Sequence, residues 1–230
     1  SFYVTVGLWQ AGQNRIFIDC NVQSPADMLS PGRIGMTAIL PVRFTAMKWY
    51  GKGPLETYPD RQCGGRMGVY SEDVRNQPFY LRPQEYGLHM ESRSMRLTDP
   101  DRADFVRFEA ACPMAMSAVP YSDLQLWNAR HPLELPAPEA LYVHLDYAHR
   151  GLGNSSCGPD VLPTYRIDDR PCHFGFALEA GLGEREDNPF GPIPEEIPAY
   201  HPWKAVGEQD RTPSYRDPSD PDQRSNAGMV

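Results

Sequence analysis

The sequence has no long apolar run and no excess of positive charge. No stretch approaches the roughly 20 apolar residues of a membrane-spanning helix, and no basic-then-apolar leader is present. Lysine and arginine together number 22 against 30 aspartates and glutamates, a formal net charge of −8. Surfaces that bind nucleic acid or anionic membranes need concentrated positive charge. We therefore expect neither nucleic acid nor a membrane as a partner.

Cysteine is scarce and scattered. There are five cysteines, and neither a Cys-x-x-Cys nor a His-x-x-x-His pair occurs. An odd number without regular spacing is typical of reduced thiols, and structural zinc sites need closely spaced ligands. The sequence thus predicts no metal site in this chain and favours a cytoplasmic origin. Secretion of a mature form stays open, since the chain begins at Ser1 without an initiator methionine.

Short segments of alternating polarity dominate the first three quarters of the chain. Alternation with a period of two predicts strands, and Pro113 should break one of them in two. The predicted strands are 2–8, 15–22, 34–42, 44–50, 88–97, 105–111, 114–119, 141–146, 164–167 and 173–178. Residues 67–74 are either a short strand or an irregular crossing. We expect strand 88–97 to be polar and to bury little. One helix is predicted over 123–130, capped by Ser122. Without β-α-β alternation, this pattern indicates an all-β protein, a large antiparallel β-sandwich.

The composition changes after residue 180. Eight of the 24 prolines lie between Pro189 and Pro221, separated by acidic and polar residues. Such a segment has little apolar surface to bury. We therefore predict a sandwich domain over 1–180 and a flexible, proline-rich, acidic tail over 181–230.

The segment Trp49–Arg61 reads Trp-Tyr-Gly-Lys-Gly-Pro-Leu-Glu-Thr-Tyr-Pro-Asp-Arg. Its glycines and proline predict a strand that leaves the sheet through a tight turn. The side chains beyond the turn, Glu56, Tyr58, Asp60 and Arg61, can bond one another and the freed backbone groups. On residue types alone, this is a network that holds a loop in place.

Three blocks together resemble the C-terminal, small-chain domain of family-two β-galactosidases. Trp49–Arg61 is similar to that domain's Tyr-Gly-Arg-Gly-Pro-x-Glu-x-Tyr-x-Asp-Arg, with lysine in place of the first arginine. Residues 83–87 are similar to its Pro-Gln-Glu-Asn-Gly, with tyrosine in place of asparagine. Residues 145–159 resemble its last block. The positions that carry the likeness are Tyr50, Gly51, Gly53, Pro54, Glu56, Tyr58, Asp60, Arg61, Gln84, Glu85 and Asp146.

The resemblance implies a fold and a division of labour. The fold is the supersandwich shared with galactose mutarotases, and the likeness begins partway into the family's domain, so we expect the first part of that domain to be missing. The family's catalytic carboxylates belong to a separate (β/α)₈ barrel, which has no counterpart here. The chain alone is therefore expected to be inactive and to support the barrel, or large subunit, of an oligomeric enzyme that hydrolyses terminal β-D-galactosides. Family enzymes often use Mg or Na in the missing catalytic part, so no cofactor is expected in this chain.

The resemblance also implies one contact with the sugar. The loop that follows Gly151-Leu152-Gly153 reaches toward the barrel in the family, and some relatives carry a tryptophan platform where this chain has Cys157. We therefore expect Asn154, Ser156 and Cys157 to bind substrate. Replacing an indole with a thiol removes up to about 2 to 3 kcal/mol of stacking. Some family members also carry cysteine there, and an inert loop thiol is the alternative.

Glycoside hydrolysis needs two carboxyl groups about 5 to 9 Å apart. The four candidate acids occur at turns or strand ends, where arginine or backbone groups are expected partners; they are Glu56, Asp60, Glu85 and Asp146. His144 and His149 flank the last of them with a spacing that fits hydrogen bonding within the sandwich better than a metal site. We therefore expect no catalytic residue in this chain.

Three hypotheses follow. The first is a supporting domain of a β-galactosidase, cut from a longer chain or encoded as a separate subunit. The second is a stand-alone carbohydrate-binding module, with galactose mutarotation as its enzymatic variant. The third is a truncated reading frame without function. A stand-alone module should bind sugar unaided, whereas a supporting domain should expose an apolar docking face.

Overall fold

A computed structural model describes residues 3–10, 13–23, 30–82, 85–153, 158–168 and 170–183. The strands are β1 (Tyr3–Gln10), β2 (Arg15–Gln23), β3 (Arg33–Pro41), β4 (Ala46–Gly53), β5 (Arg66–Asp73), β6 (His89–Thr98), β7 (Phe105–Val119), β8 (Ala140–His149) and β9 (Cys172–Gly181). The helix α1 spans Asp123–Asn128, and short 3₁₀ turns lie at Val74–Asn76, Pro132–Glu134 and Pro163–Tyr165. No helix among these residues is long and apolar enough to cross a membrane.

All neighbouring strands pair antiparallel, and β7 joins the two layers of the fold. One path runs β1-β2-β9-β7-β6-β4-β5, while β8 pairs with β7 and β3 pairs with β8. The first half of β7, Phe105–Ala110, pairs with β9, and the second half, Ala115–Val119, pairs with β8. One long strand therefore belongs to both layers.

The two layers face each other across a shared apolar core. The Cys20 thiol on β2 lies 3.3 Å from the Met36 sulfur on β3, and the rings of Tyr147 on β8 and Phe174 on β9 stack 5.5 Å apart. The largest fully buried side chains include Trp49, Phe108, Phe176, Met47, Met95, Leu97, Met114, Met116 and Leu141. Burial of these groups is the main stabilising contribution. The predicted antiparallel β-sandwich is confirmed.

The predicted break of β7 at Pro113 is wrong. Ala110 is the last residue of β7 that pairs with β9, and Ala115 is the first that pairs with β8. Pro113 lies between these partners, and the register with β6 is also irregular there. Proline has no N–H to donate to a neighbouring strand. Because no neighbouring strand among the described residues pairs with Pro113 at this position, the proline is accommodated within one continuous strand.

The expectation that strand 88–97 buries little is also wrong. β6 lies between β4 and β7, and the consecutive residues 94–97 are all buried, so both faces of the strand are covered there. Ser92, Met95 and Leu97 are fully buried, and Arg96 is 5% exposed with its guanidinium 3.7 Å from the centre of the Phe105 ring. A central position in the sheet thus outweighs the polar composition of the strand.

Residues 164–167 do not form the predicted strand. Pro163–Tyr165 is a 3₁₀ turn instead. Proline, which lacks a backbone N–H, fits the first position of such a turn because an N–H there would have no partner. The predicted helix, by contrast, is confirmed as α1: Ser122 Oγ accepts from the Gln125 amide at 3.2 Å, and Gln125 Oε1 accepts from the Ser122 amide at 2.8 Å. This reciprocal pair is a capping box.

Alternating polarity implies a half-buried strand. β1 lies where the alternation predicts it, but its aliphatic side chains are exposed. Val4, Val6 and Leu8 are 58%, 45% and 66% exposed. β1 is the last strand of its layer within the described residues. Most of the predicted tail, residues 184–230, lies outside those residues, so its boundary and flexibility stay predictions.

Candidate functional site

The first motif block begins inside β4. The strand separates from β6 after Tyr50 but stays paired with β5 through Gly53, beyond the predicted end of strand 44–50. A Cβ at Gly51 would lie 2.5 Å from the Ser92 hydroxyl on β6. The glycine therefore permits close approach of two strands. The segment that leaves β5 starts at Pro54, after a cis peptide bond.

Asp60 holds the loop that follows β8. Its Oδ1 accepts a hydrogen bond from the Leu152 amide at 3.0 Å, and its Oδ2 accepts one from the Gly153 amide at 2.7 Å. Arg61 Nη2 donates to the Gly153 carbonyl at 3.5 Å. Hydrogen bonds to a charged acceptor are roughly twice as strong as neutral ones. The end of the first motif block thus fixes the start of the predicted sugar-binding loop.

Two glycines make this contact possible. A Cβ at Gly151 would lie 2.8 Å from Asp60 Cγ, so a side chain there would displace the carboxylate. Gly153 has a φ of 60°, and a Cβ there would lie 2.9 Å from the Val161 amide nitrogen. Only glycine adopts this conformation without strain while allowing such contact. The Gly-x-Gly element therefore serves the Asp60 contact.

Glu56 joins the first block to the second. Its Oε1 accepts from the Tyr80 hydroxyl at 2.7 Å, and its Oε2 accepts from the Gly87 amide at 2.8 Å. The neighbouring Thr57 amide donates to the Leu88 carbonyl at 2.7 Å. Burial and the bond to Glu56 raise the pKa of Tyr80 well above its ordinary value, so the phenol stays a donor. Two segments about 30 residues apart are thereby fixed together.

The acids of the first block bind distant segments and not one another. Within the block, the backbones of Tyr58 and Arg61 form a bridge, in which the Arg61 amide donates to the Tyr58 carbonyl at 2.8 Å. Tyr58 is fully buried and meets the His149 ring edge-on at 5.5 Å. Burial raises the pKa of Tyr58 well above its ordinary value. The network thus extends from the turn to β8.

Arg33, at the start of β3, connects the second block with the third. Its Nη2 donates to Glu85 at 2.6 Å and to Asp123 at 2.9 Å, and its Nη1 lies 3.9 Å from Asp146. His149 Nε2 lies 3.4 Å from the same Glu85 oxygen. Sequence reasoning missed Arg33, because it lies 52 residues from Glu85 along the chain. Its place beside the acids is set by the pairing of β3 with β8.

These contacts set the charges of the cluster. Burial works against ionisation of Glu85, but the bond with His149 and the charge of Arg33 keep the pKa of Glu85 below its ordinary value. Burial likewise opposes a charge on His149, yet contact with Glu85 and Asp146 raises the pKa of His149. Burial also opposes the charge of Arg33, but the negative charges of Glu85 and Asp146 outweigh the effect of burial and raise the pKa of Arg33.

Asp146 is the acid that burial affects most. It is 1% exposed, and neither carboxylate oxygen accepts a hydrogen bond from the described residues. Burial raises the pKa of Asp146 to about 7, although Arg33 and His149 act in the opposite direction. His144, two residues earlier, bonds Thr37 Oγ1 through Nδ1 at 3.0 Å. Burial and the charge of Arg33 lower the pKa of His144 to about 4.

A cavity of about 640 Å³ opens beside this cluster. Charged side chains, backbone of the Gly-x-Gly element and two exposed residues of α1 line it. Leu124 and Trp127 on α1 are 66% and 64% exposed. The remaining lining residues include Arg33, Glu85, Asp123, His149, Arg150, Gly151 and Leu152. Aromatic surface beside convergent polar groups is typical of small-molecule sites. The spacing of three places Leu124 and Trp127 on one face of the predicted helix, but nothing in the sequence indicates a cavity.

The structure brings together most of the predicted site residues. The acids of the three blocks, with Tyr58 and Arg61, form one connected region around Arg33, Asp60 and the Gly-x-Gly element. Gln84 and the predicted substrate-binding residues Asn154, Ser156 and Cys157 lie outside the described residues. Within the described ranges, no group of three or more His, Cys, Asp or Glu side chains could hold a metal ion.

Fold and site define an antiparallel β-sandwich domain whose three sequence blocks converge on one loop. The family model described as "Beta galactosidase small chain" matches residues 4–178. The chain therefore belongs to the β-galactosidase small-chain family.

Individual relatives agree with this assignment. A β-galactosidase of Arthrobacter sp. (strain B7) is 33% identical over 168 residues, covering 69% of this chain and 16% of that enzyme. β-Galactosidase BgaC of Bifidobacterium adolescentis is 35% identical over 175 residues, 74% of this chain and 16% of its own length. A β-galactosidase of Staphylococcus xylosus is 31% identical over 156 residues, covering 66% of this chain and 16% of that enzyme. The chain thus spans about a sixth of these enzymes.

Proposed function

We propose that this chain is the C-terminal supporting domain of a β-galactosidase and that it holds one loop at the sugar site of the catalytic part. The observation that carries the proposal is the pair of hydrogen bonds from Leu152 and Gly153 to Asp60. They fix the chain direction immediately before residues 154–157. A loop fixed in this way loses less conformational entropy when it binds a sugar.

The same contacts support the view that hydrolysis needs carboxylates from elsewhere. Glu56 is bound by Tyr80 and Gly87, and Asp60 by two amides. Glu85 is held by Arg33 and His149. A general acid has to reach the glycosidic oxygen, and the second carboxylate has to attack the sugar or activate water. Carboxylates held in place by such contacts are poorly placed for either task.

A hybrid enzyme tests the supporting role. Residues 4–178 of this chain would replace the matching region of the Arthrobacter enzyme, and hydrolysis of a chromogenic β-galactoside would be measured. We expect activity in the hybrid and none in the Arthrobacter enzyme with that region deleted. Full activity of the deleted enzyme would contradict a supporting role for this domain.

The cavity beside α1 favours a second function, carbohydrate binding by the chain alone. Trp127 offers an aromatic face to the C–H groups of a sugar, while Glu85 and Asp123 offer acceptors to its hydroxyls. The test is titration of the purified chain with D-galactose, followed by NMR. Trp127→Ala should abolish binding and Trp9→Ala, on β1, should leave it unchanged. If the unmodified chain does not bind galactose, only the supporting role remains. Mutarotation is tested separately, by following the optical rotation of freshly dissolved α-D-galactose in the presence of the chain.

A further inference from the structure

The guanidinium of Arg33 is shared by carboxylates from three parts of the fold. Its Nη2 donates to Glu85, which precedes β6, and to Asp123, in the first turn of α1, while its Nη1 lies 3.9 Å from Asp146 on β8. Nη1 is buried and has no hydrogen-bond partner among the described residues. One nitrogen of Arg33 therefore ties α1 to the sheet, and the other faces Asp146 without a hydrogen bond.

The carboxylate of Asp146 is enclosed by protein. It is 1% exposed, and its two oxygens accept no hydrogen bond from the described residues. A Cβ at Gly35 on β3 would lie 2.3 Å from its Oδ1, so the carboxylate occupies the space that a side chain at Gly35 would fill. A buried carboxylate without donors is unfavourable when ionised. Burial accordingly raises the pKa of Asp146 to about 7, so the acid changes its charge in the neutral range of pH.

The other charges around Arg33 and Asp146 balance one another. The titratable side chains come from β3, the loop after β4, the segment before β6, α1 and β8; they are Arg33, Tyr58, Glu85, Asp123, His144 and His149. β7 contributes Ala115, which carries no charge. Burial lowers the pKa of His144 to about 4 and raises the pKa of Tyr58, so both are uncharged at neutral pH. Arg33 and protonated His149 offset the other two carboxylates, and ionised Asp146 is therefore a negative charge in excess.

We propose that Arg33 exchanges Asp123 for Asp146 when Asp146 loses its proton to the solvent, and that this exchange releases the first turn of α1, which forms one wall of the cavity. The exchange is a property of the chain by itself and does not depend on the proposed function. A charge-assisted hydrogen bond needs a distance of about 2.7 to 2.9 Å, so Nη1 has to move about 1 Å toward Asp146.

Asp123 is the partner that Arg33 can release. Its side chain is 55% exposed, so water replaces the bond to Arg33. Glu85 keeps a second partner, because His149 Nε2 lies 3.4 Å from the oxygen that Arg33 bonds. Asp146 has no access to water, so its ionised form depends on a protein cation.

Other contacts keep α1 folded when its first turn is released. The capping box at its start and the burial of Leu126 do not involve the guanidinium of Arg33. Arg82 Nη1 also donates to the Leu126 carbonyl at 3.2 Å. Release of the first turn therefore moves the helix and, with it, the two cavity-lining side chains Leu124 and Trp127.

The test follows the indole N–H signal of Trp127 in the purified chain by NMR between about pH 5 and pH 9. The signal should move with a midpoint of about 7. Asp146→Asn removes the titrating acid, and Asp123→Ala removes the partner that is exchanged, so each should abolish the movement. Asp101→Asn, at an exposed turn, is the control and should titrate as the unmodified chain does.

Crystal structures at the two ends of this pH range supply a second readout. At high pH, Arg33 Nη1 should lie within about 3 Å of Asp146, and the bond to Asp123 should be absent. If Asp146→Asn does not fold, Asp123→Ala and the two structures decide.

Three results would overturn the inference. A movement that persists in Asp146→Asn would assign the titration to His149 or another group. A Trp127 signal that stays fixed in the unmodified chain would show that α1 does not respond to pH. An Arg33 side chain that keeps Asp123 at both pH values would show that no exchange takes place.

Discussion

The carboxylate of Asp60 accepts a 2.7 Å hydrogen bond from the amide of Gly153, which lies 93 residues further along the chain. The turn after β4 and the loop after β8 are therefore one structural unit. Glu56 extends this unit to the second motif block, and Arg33 connects that block to β8. Three blocks that are separate in the sequence thus act together on the position of one loop.

Asp60→Asn should loosen that loop. The substitution keeps one acceptor but removes the charge, and a hydrogen bond to a charged group contributes about 1.5 to 3 kcal/mol. We expect the free energy of unfolding in urea to fall by about 1 to 3 kcal/mol. In the hybrid enzyme, we expect KM to rise. Asp101→Asn, at an exposed turn, is the control and should change neither quantity. An unchanged KM in the Asp60→Asn hybrid would show that the contact of Asp60 with the loop does not affect sugar binding.

Arg33→Met should be far more costly than a similar change at the surface. It leaves Glu85 and Asp146 buried without their cation, and breaking a buried ion pair costs about 3 to 5 kcal/mol. Arg15 pairs with Glu109 at 2.9 Å, but both side chains are more than a third exposed. Arg15→Met should therefore cost less than about 1 kcal/mol. Urea unfolding measures both, and similar values would show that the Arg33 cluster contributes little.

Asp146 gives the stability a defined pH dependence. Its pKa in the folded chain is raised to about 7, so the folded state binds the proton more tightly than the unfolded state. The stabilisation from the protonated acid is present below the ordinary aspartate pKa of about 4 and is lost as the pH rises toward 7. We expect Asp146→Asn to remove this decline, as measured by urea unfolding from pH 4 to 8. A parallel profile for the variant would contradict the raised pKa.

Cys157→Trp tests the sugar-binding loop, which lies outside the described residues. An indole at this position would add apolar surface for the sugar, worth up to about 2 to 3 kcal/mol. In the hybrid enzyme we expect KM to fall at least several-fold. Cys157→Ala should leave KM unchanged if the thiol makes no specific contact. A higher KM in the tryptophan variant would place this position away from the sugar.

The sequence predicted what depends on local pattern. Alternation located β1 to β4, and Ser122 with Gln125 marked the start of α1, because periodicity and capping are encoded within a few residues. The continuity of β7 through Pro113 could not be predicted in this way. It depends on the exchange of β9 for β8 as a neighbour, which only the assembled sheet defines.

The site shows the same limit. The motif blocks identified Glu56, Asp60 and Glu85, but not the groups that they bind. Arg33 comes next to Glu85 only through the pairing of β3 with β8, and burial of the β6 serines follows from strands on both sides. Distant partners of this kind leave no local pattern in a single sequence.

The supporting role is tested most directly by the initial rate of chromogenic β-galactoside hydrolysis by this chain, alone and mixed with the Arthrobacter enzyme that lacks its matching region. We expect no hydrolysis by the chain alone and activity in the mixture that rises with added chain to a plateau. Hydrolysis by the chain alone, abolished by Glu56→Gln or Glu85→Gln, would contradict it and would make those carboxylates catalytic.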